Sequence, residues 1–134
     1  MKIAGFNFTK ISVEKFSDNL KNLKINTNLD ISEINEFKSD LFKTKEEIIE
    51  VNFDFKINYD PDFAKINIKG NVLLAFESKK VKDIIKQWKN KKIPEDIKIT
   101  LFNIILRKSN LKALQLEEEL NLPFHISFPS LKKE

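Results

Sequence analysis

Few side chains in this sequence could carry chemistry, and their spacing argues against most of it. One histidine, His125, is the residue that titrates nearest neutral pH. A general base or metal ligand needs convergent partners, and its sequence neighbours are Phe124 and Ile126. With nothing adjacent to orient it, His125 reads as a surface or packing residue. Carboxylates pair at Asp60/Asp62 and cluster at Glu117, Glu118 and Glu119. The first pair flanks Pro61 and fits a turn; the second group occupies consecutive helical positions and points three ways. There is no cysteine, which excludes thiol catalysis, disulfides and Cys-based zinc sites; a lone histidine excludes sites needing two. Two glycines, Gly5 and Gly70, cannot form a phosphate-cradling loop. The expectation is a protein that is not an enzyme and needs no metal or cofactor.

Phosphate contact is the remaining chemistry the residue types suggest. Lys79, Lys80, Lys82, Lys86, Lys89, Lys91 and Lys92 form a dense basic stretch around Trp88. Trp88, however, shares a helical phase with Val81, Ile84 and Ile85, which makes it core and the lysines a solvated face. Net charge is only +4, from 24 basic and 20 acidic residues, so nucleic acid is not the expected partner.

The elements behind these residues are legible from periodicity. Strands are expected at about residues 3–14, 23–34, 47–59 and 63–77. In the first, Phe6 and Phe8 change phase before Ile11 and Val13, which predicts a bulge near Lys10. The third alternates most cleanly, with Ile49, Val51, Phe53, Phe55, Ile57 and Tyr59 on one face. The turn at Asp60-Pro61-Asp62 pairs it antiparallel with the fourth. A short helix follows at about 79–91 and a long one at 94–120, opened by Pro94 and ended by Asn121 and Pro123. An extended tail covers 121–134. The 134 residues form one α+β domain, a four-stranded antiparallel sheet followed by a short and a long helix. No apolar run is long enough for a membrane span, and the start MKIAGFNFTKIS lacks a secretory apolar stretch, so a cytoplasmic protein is expected.

The long helix is too apolar for a surface element. From Ile97 to Leu106 its apolar residues cover roughly 220° of arc at about 100° per residue. Such a helix asks for two surfaces to bury against, and a second copy is the simplest second surface. Ile99, Leu101, Phe102, Ile105 and Leu106 are the expected oligomer interface. Outside the regular elements stand Phe37, Leu41, Phe42, Phe124, Ile126, Phe128 and Leu131, which either cap the core or line a binding groove.

These features together resemble the SecB-type export chaperones. The likeness lies in the break at Ile93-Pro94, the long helix through Ile104-Ile-Leu-Arg-Lys108, and Leu120-Asn121-Leu122-Pro123 before an extended tail; Asn71-Val-Leu-Leu-Ala-Phe76 sits where that family has its last strand. The chain is also similar to small archaeal SecB-related proteins. The resemblance implies a dimer or dimer of dimers that holds unfolded polypeptides in hydrophobic grooves, with protein export as its setting. It assigns Phe37, Leu41, Phe42, Leu122, Phe124, Ile126 and Phe128 to the groove. Family members are typically acidic, whereas this chain is basic. The alternatives are a structural or interaction protein with one dedicated partner, and a basic nucleic-acid-binding domain.

Overall fold

The computed structural model describes residues 1–37 and 46–131. Four long strands, β1 (Lys2–Lys15), β2 (Lys24–Phe37), β3 (Glu47–Asp60) and β4 (Ala64–Phe76), precede α1 (Ser78–Trp88) and α2 (Glu95–Leu120). Every pairing is antiparallel, in the order β1-β4-β3-β2. The fold class is the one the periodicity predicts. The β3–β4 hairpin occupies the centre, and the two strands that come first in sequence lie at opposite edges.

One face of the sheet is the core floor. Ile49, Val51, Phe53, Phe55, Ile57 and Tyr59 are all at most 1% exposed, and Ile66, Ile68, Val72 and Leu74 lie beside them on β4. Gly70 belongs to that face, where a Cβ would stand 2.3 Å from the Asn7 carbonyl oxygen and 2.7 Å from the Phe53 ring. The absent side chain is what lets Phe53 lie flat against the strand. The register of β1 slips between Phe8 and Lys10, which returns Ile11 and Val13 to the inner face opposite Ile68 and Ile66. That is the expected bulge. A similar slip between Ile31 and Glu33 turns Ile34 inward opposite Val51 and carries β2 on to Phe37, beyond its expected end. The opposite face is polar except at one end, where Ile48, Leu73 and Ala75 form a small apolar cluster with Phe37.

Both helices end in the same way. At the end of α1, Lys91 adopts φ 56°, its N–H donates to Trp88 O at 2.8 Å, and Lys92 N–H donates to Gln87 O at 3.1 Å. At the end of α2, Asn121 adopts φ 53°, with N–H donation to Glu118 O at 3.4 Å and from Leu122 to Glu117 O at 2.8 Å. Both are Schellman caps built on a residue other than glycine. The left-handed turn at Lys91 is why α1 stops at Trp88 rather than near residue 91. Pro94 caps α2 rather than opening it, its carbonyl accepting from Ile97 and Lys98 at 3.1 and 3.0 Å. Lys80 Nζ reaches Asp96 at 2.8 Å and ties α1 to the first turn of α2, holding the Asp96 carboxyl below its ordinary range through that hydrogen bond.

Candidate functional site

A groove of about 720 Å³ opens where the end of α1 and the start of α2 stand over edge strand β2. Its apolar lining is Leu29 and Ile31 from β2, Trp88 from α1, Ile93 from the connection and Phe102 from α2. Leu29 and Ile31 point inward because they pair with Phe55 and Phe53. Lys91, Lys92 and Lys98 rim it, with Asp30, Gln87 and Glu95 completing the wall. Lys91 Nζ stands 4.6 Å from the Trp88 ring centroid and Lys98 Nζ 5.9 Å from that of Phe102. Trp88 is 9% exposed and packs with the core, so its ring is not laid open for base stacking. Its Nε1 has no hydrogen-bond partner among the described residues.

Beyond α2 the chain reverses and returns along the helix, held by a buried polar cluster. Glu117, fully buried, accepts three hydrogen bonds: from the Tyr59 hydroxyl, from His125 Nδ1 at 2.8 Å and from the His125 backbone N–H at 3.1 Å. His125 Nε2 lies 2.8 Å from Asn110 Oδ1, and the Tyr59 oxygen is 3.0 Å from the Pro123 carbonyl. Burial, reinforced by the Glu117 carboxylate, pushes the Tyr59 phenol far above its usual range. The His125 side chain is only 3% exposed and Glu117 not at all, so no reacting atom of the cluster faces solvent. It fastens the tail. The expectation that nothing orients His125 is therefore corrected: Glu117 and Asn110 hold both ring nitrogens.

The cluster left one signal in the sequence. Leu101, Ile105, Ser109, Ala113 and Glu117 are spaced four apart, and all five are buried along one row of α2. A carboxylate on such a row requires donors. The donors come from β3 and the returning tail, which no local pattern reveals.

The residues expected to form one groove are dispersed. Phe37 is half-buried on the outer sheet face with Ile48, Leu73 and Ala75, while the tail packs on the inner side, where His125 meets Phe55 with ring centroids 6.5 Å apart. The sheet lies between them. Leu122 is 4% exposed and part of the core. Phe124, Ile126 and Phe128 are 41%, 40% and 54% exposed, and the two phenylalanines meet edge-on at 5.0 Å. Leu41 and Phe42 lie outside the described residues. Of the expected interface, Leu101 and Ile105 are fully buried against the chain's own sheet and offer nothing to a second copy. Ile99 is 67% exposed, and Phe102 and Leu106 are half-buried beside the core. Missed altogether were Leu29, Ile31 and Ile93 as groove lining, since each reads as an ordinary strand or loop residue.

Among the described residues no helix is long and apolar enough to cross a membrane, and no three acidic or histidine side chains gather as metal ligands. No protein-family model and no curated protein matches the sequence. The fold is similar to that of Rv1957, a SecB-like chaperone of Mycobacterium tuberculosis solved in complex with a ChAD peptide from the Rv1956 HigA1 antitoxin. The TM-score is 0.54 and the identity 11%, over 98% of this chain and 89% of that one.

Proposed function

We propose that the chain is a SecB-like chaperone that binds non-native polypeptide segments without catalysis, cofactor or nucleotide. The observation that carries this reading is the groove between β2, α1 and α2, walled by Leu29, Ile31, Trp88, Ile93 and Phe102. Its size and apolar walls suit a few side chains of an extended segment rather than a small polar metabolite. The exposed Phe124, Ile126 and Phe128 supply a second apolar surface on the tail. Likeness to a SecB-like chaperone holding a peptide supports a binding role. We take the working form to be a homo-oligomer acting in the cytoplasm. The outer sheet face mixes Glu50 and Asp54 with Lys56, Lys65 and Lys69, so handover to an export motor is no part of the proposal.

The test is capture of one aggregation-prone polypeptide in its unfolded and native forms, at moderate salt and without nucleotide. Binding of the unfolded form alone, with aggregation suppressed, is the expected result. Phe102→Asp should abolish it. The double change Phe124→Asp with Phe128→Asp asks whether the tail shares the contact; unchanged binding would confine the site to the groove. A folded protein that binds neither form would overturn the general chaperone. A second reading, one dedicated partner, draws support from the neighbour's antitoxin peptide. It predicts binding of a single partner segment and indifference to other unfolded chains.

A further inference from the structure

We propose that the groove selects segments whose apolar side chains are flanked by aspartate or glutamate; this rests on the polypeptide-binding reading above. Cations stand over its apolar walls: Lys91 Nζ at 4.6 Å from the Trp88 ring and Lys98 Nζ at 5.9 Å from the Phe102 ring, with Lys92 at the same rim. Among the described residues none of the three lysines has a carboxylate within ion-pair distance. Lys80, nearby on α1, does have one in Asp96. The wall also holds the carboxylates of Asp30 and Glu95, so the three lysines exceed them by one, and the selection rests on the lysines standing over the apolar walls. The Asp30 carboxylate already accepts from the Asn28 side chain at 3.0 Å, and Glu95 sits in the first turn of α2, where the helix dipole attracts it.

Lys91 adds a separate reason. With φ 56° it occupies the left-handed position of a helix cap that glycine fills with least strain. A cation is held there against the backbone's preference. When an apolar segment fills the groove against Phe102 and the small exposed part of Trp88, the ammonium groups at the contact lose part of their water, and their interactions strengthen as the local dielectric falls. Carboxylates beside the buried side chain meet them. A basic segment adds like charge at the same points and is rejected.

Three fluorescence-labelled peptides test this, each with one identical aromatic-aliphatic core and flanked by aspartate, by serine or by lysine. Trp88 is the chain's one tryptophan, so its emission reports occupancy of this groove directly. At low ionic strength the acidic peptide should bind about tenfold tighter than the lysine-flanked one, with the neutral peptide between. Salt should compress the series. Lys92→Glu with Lys98→Glu, both at solvent-facing or half-buried positions, should reverse the order while the circular dichroism spectrum is unchanged. Equal affinities for all three peptides would overturn charge selection and leave the polypeptide-binding reading standing. Binding of none, by folded protein, would overturn both.

Discussion

Tyr59 is the chain's one tyrosine, and its phenol is enclosed beside the Glu117 carboxylate. Its acidity is lowered first by burial and then by that carboxylate. A phenol whose folded-state pKa is raised contributes its full stability below the unfolded value of 10.0 and loses it as pH rises beyond. Stability should therefore fall above about pH 10, by up to ~1.4 kcal/mol per pH unit. Phenolate absorbance should stay flat through pH 10 and appear only together with loss of the far-ultraviolet dichroism. Absorbance rising first, in a folded protein, would contradict the buried pairing. Glu117→Gln keeps the shape but presents an amide N–H₂ to one of three donors, and should lower stability by roughly 2 kcal/mol in urea titration. The same change should speed chymotryptic cleavage after Phe124, because the tail loses its fastening. At this scale the sequence was least informative. His125 has no partner near it in sequence; Asn110, Glu117 and Tyr59 reach it only once β3, α2 and the reversed tail are in place.

The helix ends show how much of an element is written locally. Asn121 and Pro123 mark the end of α2 in the sequence, and the Schellman cap forms there. Asn121→Ala should cost about 1 kcal/mol, since alanine tolerates the left-handed region poorly, whereas Asn121→Gly should be neutral or slightly stabilising. Urea midpoints of the two variants decide it, and equal losses in both would point to a side-chain role for the asparagine. The end of α1 was harder to read, because a lysine is no usual occupant of the left-handed position. Strand positions followed from alternation, and the bulge near Lys10 from a phase change. The second bulge, between Ile31 and Glu33, was missed, although Ile34 breaks the odd-numbered series of Ile25, Leu29 and Ile31 and carries the same signal. The excess apolar arc of α2 was real, but much of it is absorbed within the monomer by the sheet.

At the scale of the molecule, apolar surface is still left over. Ile3 and Ile11 on edge strand β1 are 53% and 45% exposed, and Ile99 and Leu111 on α2 are 67% and 56% exposed. A second copy is the expected cover for at least part of this surface. Light scattering should give a mass above the 15.7 kDa of one chain, and Ile99→Asp with Leu111→Asp should lower it while leaving each chain folded. A monomeric wild type would instead leave these residues to clients. The strand order has a consequence of another kind. In the native pairing β1 bonds only to β4 and β2 only to β3, so neither of the first two strands has a partner until the central hairpin exists. On the ribosome, two 14-residue strands must emerge and wait, edges open, before the segment that will join them has been made. A protein proposed to shelter unfinished chains thus spends its own synthesis as one of them.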